Sequence, residues 1–442
     1  MRATRRLAAL AGAGALIATM GGVPLQSASA VPTVFMGAGN ASVTAAINAF
    51  TAAIGGGNNG TAPPPAANGF RRINWDAVPI NASNEIVPSK VGDVAVDQFQ
   101  GRGVIFDDDT AVANDGFLST NPSVTAAFPA FTSPLVFSPY NDNQVLVTFV
   151  LASTRGTTPI PAASKGFGAV FLDVESANTT IEFFHGTTSL RKDIVPVAGH
   201  GESAFLGVVF DSPVVTSVLI TLGTARIFDF PPVSAGGNEN EGDDLVALDD
   251  FVYGEPMCTR TYGAVVTPTV VASTGDIVCL NGTTVNGSIV ANPGSVVVMN
   301  NGFVAVNITA NGAAFLSVCG TTVRGSVTAQ NTTGFVRIGD AANDDNLNCG
   351  GNNIRGDVSV LNGRGGFEVG GNQISANLTA NDNQALRLSG PLAPAGDDLA
   401  EIEGNYVGGA LTCLRNVPTP TDDERPNQVI GSTANCTLAG ID

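Results

Sequence analysis

Between Ala41 and Ile54 the apolar side chains fall at Val43, Ile47, Phe50 and Ile54, about one helical turn apart, which predicts a short amphipathic helix. The stretch GGGNNGTAPPPAANG from Gly55 to Gly69 is made of turn formers and small residues and predicts a loop or linker. From Phe70 to Pro256 the pattern changes to short β-branched and aromatic runs, among them VLVTFVLA, GFGAVFLDV, TIEFFH, AFLGVVF and VTSVLITLG, separated by turn residues. Such spacing predicts an antiparallel β-sandwich of jelly-roll-like type.

Past Met257 a repeat takes over. An apolar pair four residues apart recurs as Val285 with Ile289, Val304 with Ile308, Val323 with Val327, Ile354 with Val358, Ile374 with Leu378 and Val407 with Leu411. The second members lie 19, 19, 31, 20 and 33 residues apart, so the basic period is 19 or 20 and two copies carry insertions. A second apolar pair, two residues apart, accompanies the copies: Val296 and Val298, Leu316 and Val318, Val336 and Ile338, Phe367 and Val369, Leu386 and Leu388. Alternation by two means strand. One coil of this length cannot bury its own apolar side, so about six must stack as a parallel β-helix with Asn and Gly at the corners. The chain therefore reads as all-β: a leader over 1–30, a short helix and linker over 31–69, a β-sandwich over 70–256 and a β-helix over 257–442.

The leader carries Arg2, Arg5 and Arg6, an apolar run from Leu7 to Met20 and the small-residue site Ala28-Ser29-Ala30, the order of a signal peptide. No later segment approaches the roughly twenty apolar residues of a spanning helix, so a secreted protein, extracellular or at the cell surface, is expected. Without those three arginines the chain has seventeen basic against thirty-eight acidic residues, a formal charge near −21. A surface of that sign repels nucleic-acid phosphates and anionic lipids, which removes both as expected partners.

Export places the six cysteines, all at or beyond Cys258, in an oxidising compartment. Equivalent positions on adjacent coils stack about 4.8 Å apart, within reach of a disulfide. The separations of one coil each predict Cys258–Cys279, Cys319–Cys349 and Cys413–Cys436. No CxxC spacing occurs and no histidine follows His200, so a zinc site is not expected there.

The blocks RRINWDAVP (Arg71 to Pro79), GFGAVFLDVESANTTIEFF (Gly166 to Phe184), SAFLGVVF (Ser203 to Phe210) and DDFVYGEP (Asp249 to Pro256) resemble a β-sandwich domain that recurs in exported bacterial proteins of unknown function. TTVNGSIVANPGSVVV (Thr283 to Val298) resembles β-helix segments of actinobacterial exported proteins. Both resemblances imply a fold and a location, and neither implies an activity.

Gly199-His200-Gly201 also occurs in polygalacturonases, but there it lies on β-helix coils beside catalytic aspartates, and here it precedes a sandwich strand. Ser203 lacks a GxSxG elbow and reads as the start of that strand. Glu401 and Glu403 flank the inward Ile402 and are expected to point outward side by side, about 7 Å apart, which solvation explains as well as a glycosidase pair does. Clustered carboxylates suit a hard cation. The expected structural calcium ligands are Asp173, Glu175, Asp249 and Asp250, chosen from a wider set that includes Asp107, Asp108, Asp109, Asp243 and Asp244. Trp75 is expected to be buried rather than a sugar platform. The favoured reading is a non-catalytic binding or structural protein for a carbohydrate or cell-surface ligand; the alternative is a β-helix polysaccharide lyase or glycoside hydrolase.

Overall fold

A computed structural model describes residues 31–76, 78–80, 90–107, 109–132, 134–340, 349–385 and 400–434. The expected signal peptide, Asp108, Leu386, Leu388 and Cys436 lie outside the described residues. Among the described residues no helix is long and apolar enough to cross a membrane.

The described residues before Pro256 form two large antiparallel sheets and a small one that pairs Phe228–Asp229 with Ser234–Ala235. The larger runs in the order Thr33–Ala38, Ser203–Val209, Gly166–Leu172, Ala247–Gly254, Val136–Pro139, Thr110–Ala113, Val91–Asp93, with Phe70–Ile73 also paired to Ala247–Gly254. The smaller runs Thr188–Ile194, Thr180–His185, Ser217–Thr221, Gln144–Phe149, Val104–Phe106. Phe167, Ala169 and Phe171 share one core with Val145, Val147, Phe149, Ile181 and Phe183 of the smaller sheet. Val170, Leu172 and Phe205, on the opposite face, pack with Val43 and Phe50 of the helix Asn40–Ile54. Covering both faces explains why the central strand GFGAVFL has no polar alternation: all seven residues are buried.

The blocks RRINWDAVP and DDFVYGEP are spatial neighbours, with Arg71 opposite Tyr253 and Ile73 opposite Phe251. Trp75 is buried, stacks on Phe137 at 4.0 Å between centroids and donates its indole N–H to the Asp249 carbonyl at 2.8 Å. The buried Arg71 guanidinium bonds Glu255 through two nitrogens, at 2.7 and 2.9 Å, and also donates to the carbonyls of Gly60, Ala62 and Gly101. Glu255 in turn accepts from Asn59 and from the Ala66 amide. The Gly- and Pro-rich stretch is therefore a loop, as its composition predicts, and one moored by a buried ion pair. The strand Ala247–Gly254 shifts register between Leu248 and Phe251, which puts Asp249 and Asp250 in a bulge.

The residues after Met257 form three parallel sheets of seven, eight and eight strands, an arrangement consistent with a β-helix. The register matches the sequence repeat: Val285, Val304, Val323, Ile354, Ile374 and Val407 stack in one column, and Ile289, Ile308, Val327, Val358, Leu378 and Leu411 in another. Two further levels extend the six. The first has Thr267 and Val270 beneath Val285 and Ile289, and the last has Val429 and Thr433 above Val407 and Leu411. In each, a threonine replaces one member of the apolar pair.

The second apolar pair needs two corrections. Val296 stacks on Phe315 and Val297 on Leu316, so Val297 and Met299, not Val296 and Val298, face the core between the parallel sheets. One residue of slip exchanges the two faces of a strand. The strand on Phe367–Gly370 is Ala400–Glu403, with Ala400 and Ile402 in the column that the repeat predicts for Leu386 and Leu388.

Val296 and Val298 point outward because the antiparallel part covers them. With Ile277, Cys279 and Phe315 they pack against Ala163, Leu151 and Ile160, and Ala163 and Met257 exchange two backbone hydrogen bonds of 2.9 Å. His185, its Nδ1 2.8 Å from the Val214 carbonyl, lies so close to Gly275 that a Cβ there would sit 2.0 Å from its Nε2. Pro32–Asp442 forms one compact unit.

One corner of the later coils carries a buried column of amides. Asn352 donates its backbone and side-chain N–H to Asn372 Oδ1, Asn372 does the same to Asn405, and Asn405 to Asn427, at 2.8–3.0 Å. Each Nδ2 also reaches a carbonyl, Ile338 in the case of Asn372. Asn372→Leu should leave the Asn352 N–H and the Ile338 carbonyl unsatisfied, at about 1–3 kcal/mol each. Urea unfolding should show a loss of that size, whereas Asn353→Ala, at an exposed neighbour, should stay within about 0.5 kcal/mol of the parent.

The Asp249 carboxylate is fully buried and accepts from the Phe131 N–H at 2.6 Å. Burial first, and Asp250 beside it, push its pKa up to about 7 against the Phe131 bond. The folded chain thus holds this proton more tightly than the unfolded chain does. Its stabilising contribution is present below the ordinary carboxylate range and is lost as pH rises towards 7. Asp249→Asn, which keeps an acceptor for Phe131, should flatten the fall in stability between pH 5 and pH 8; an unchanged slope in paired urea titrations would refute this.

Candidate cation site

The central strand Gly166–Leu172 ends at Asp173, a fully buried residue held at φ +70°. A non-glycine residue in that left-handed region is uncommon and clusters at functional positions. Asp173 Oδ1 accepts the Gly201 N–H, and His200 Nδ1 lies 3.1 Å from the same oxygen. Gly199 and Gly201, both at positive φ, form the turn that presents His200. Asp173 Oδ2 is buried with no hydrogen-bond partner. Glu175, half exposed, places Oε1 3.9 Å from His200 Nδ1. A ligand atom of Asp173, of Glu175 and of His200 all lie within 4.8 Å of one another.

Two further acids surround this group. Asp244 accepts from the amides of Glu175 and Ser176 and from the Ser176 hydroxyl. Glu239 begins the short turn Glu239–Glu241 and accepts the Leu245 N–H at 2.7 Å. Burial raises Asp173 to about 6, opposed by the Gly201 bond and by His200 and reinforced by Glu175 and Asp244. Burial likewise raises Glu239 to about 7, with Asp173, Glu175 and Asp244 adding to it. Carboxylates that repel one another around a partnerless buried oxygen suit a divalent cation. Oxygen donors alone favour calcium, and adding the His200 ring would favour a transition metal.

Asp173 and Glu175 thus meet, with His200 and Asp244. Asp249 and Asp250 belong to the bulge instead, where Thr132 donates to both and Arg72 pairs with Asp250. Asp107 accepts the Leu146 N–H, Asp109 bonds Asn141, and Asp243 accepts the Asn238 N–H. Ser203 opens its strand and donates to Asn40 Oδ1 at 2.6 Å. Beside the bulge a cleft of about 360 Å³ is lined by Arg72, Asn74, Arg102, Thr132 and Asp250 among others, with no aromatic side chain among the described residues. Cys258–Cys279 ties the junction of the two parts to the second coil, and Cys319–Cys349 bridges coils across an insertion. Cys413 is also disulfide-bonded.

Glu401 and Glu403 flank the inward Ile402 as expected, yet both are buried rather than solvated. The chain after Cys413 folds back over them: Thr421 bridges to Glu401, and Arg425 Nη1 lies 3.7 Å from Glu403. Arg337, Glu368 and Glu401 occupy one outward column on three successive coils. Carboxylate oxygens of Asp340, Glu368 and Glu403 lie within 4.8 Å of one another, all three residues buried. Burial raises Glu368 to about 9, with Arg337 opposing and Asp340 and Glu401 reinforcing. Neither Asp340 nor Glu368 stands out in the sequence. Glu368 has only its outward place in FEVG, and Asp340 lies two residues past the strand Val336–Ile338.

No known protein-family model matches the chain, and no curated protein matches it. Among solved structures it is similar to the catalytic unit of a thermostable GH87 alpha-1,3-glucanase from Streptomyces thermodiastaticus, at 10% identity over 81% of this chain and 75% of that one, with a TM-score of 0.17. It is similar to the catalytic domain of a GH87 alpha-1,3-glucanase variant in complex with nigerose at 9% identity, over 72% of this chain and 94% of that one, again with a TM-score of 0.17. At that score the likeness carries no inference for fold or activity.

Proposed function

We propose that this chain is an exported, non-catalytic binding or structural protein in which a β-sandwich is fixed on a disulfide-clamped β-helix and braced by calcium at Asp173 and Glu175. The observation that carries the reading is the closure of the outward face of the first parallel sheet. Its apolar residues lie under the antiparallel part, and its acids, from Glu368 to Glu403, are buried. A polysaccharide-cleaving β-helix needs a groove where a sugar chain reaches converging acids, and buried acids do not offer one. The two disulfides and the absence of a spanning helix among the described residues fit secretion. The cleft beside Arg72 is where a surface ligand would be sought first.

Calcium added at a hundredfold over its dissociation constant should stabilise the chain by about 2.7 kcal/mol, a rise of about 3 °C in a thermal melt for a protein of this size. Asp173→Asn should remove this site's share of the rise. His200→Ala should keep it, which separates calcium from a histidine-bound transition metal. A rise that survives Asp173→Asn unchanged would remove this site, and polysaccharide turnover lost in Glu403→Gln would restore the enzymatic alternative.

A further inference from the structure

We propose that Asp340, Glu368 and Glu403 bind a second calcium ion that staples three consecutive coils of the parallel part. The three come from successive levels. Asp340 follows the strand Val336–Ile338, Glu368 lies on Phe367–Gly370 and Glu403 on Ala400–Glu403. Their oxygens converge to within 4.8 Å, the separation that ligands on opposite sides of an ion have when each is 2.3–2.6 Å from it.

A convergence of acids alone would not mark a site. The second observation is Glu368 itself. Its side chain is 4% exposed, one oxygen accepts from Arg337 Nε at 2.8 Å, and Oε1 is buried without a hydrogen-bond partner. A buried carboxylate oxygen with no donor is costly, and a cation bound between it and its two neighbours removes that cost. All the converging donors are carboxylate oxygens, the set that calcium prefers and that zinc or copper does not. The location has a mechanical sense as well. Cys258–Cys279 and Cys319–Cys349 clamp the earlier coils, and the carboxylates belong to the strand stacked on Phe315–Cys319 and to the two after it, between which the chain carries its two insertions.

The test uses the purified chain carrying Asp173→Asn, so that the other candidate site does not contribute. After equilibration in calcium and gel filtration, acid denaturation should release one calcium per chain, and adding Glu368→Gln should bring this to none. Hydrogen exchange should show calcium protecting residues 336–414 in the single variant and not in the double. No calcium in the single variant, or calcium retained in the double, would overturn the proposal. If the double variant does not fold, anomalous scattering from crystals of the unaltered chain soaked in a lanthanide decides: a peak between the three carboxylates supports the site, and its absence refutes it.

Discussion

The first parallel sheet has an outward face that water does not solvate, and the rest of the molecule is arranged to cover it. Over the early coils the outward residues are Ile277, Cys279, Val296, Val298 and Phe315, and the antiparallel part lies on them. Farther along the same face they become Arg337, Glu368, Glu401 and Glu403, all buried. The two halves of the chain are therefore joined by a hydrophobic contact with an area cost for separation, and the charged end of the face is covered by the later segment around Thr421 and Arg425. Charges in such a place must be paired, protonated or bound to a cation.

Much of the parallel part was legible because its strands repeat. Identical backbone pairing stacks like on like, so Val285 through Val407 could be aligned by spacing alone. The two end levels escaped because Thr267 and Thr433 stand where the inner coils have valine, isoleucine or leucine. The outward face of Val296 and Val298 is not legible because VVVM is apolar on both sides, and alternation carries no information there. Read with its cause, that run is itself a signal: a β-helix strand apolar on both faces is covered on both. The outward side of Glu401 and Glu403 is legible from their flanking the inward Ile402. Their burial was not legible, since it depends on the later segment around Thr421 and Arg425 folding back.

The cation site divides in the same way. Asp173 and Glu175 are two residues apart and were visible as a local pair. His200, Glu239 and Asp244 join them through a turn and a strand start far away in sequence, and only tertiary structure brings these together. Asp249 and Asp250 looked equally suitable, but a bulge gives each its own protein donors. A doublet of acids in sequence reveals nothing about which way a bulge will turn them.

Solenoids of near-identical levels face a hazard of misassembly in which one level skips to the next. The amide column guards against it. Its corner position holds Thr283, Gly302 and Thr321 in the early levels and then Asn352, Asn372, Asn405 and Asn427. A chain displaced by one level would set an asparagine against glycine or threonine and strand a buried amide. The same residues that fasten neighbouring levels thus also number them, so the order of assembly is written into the wall itself.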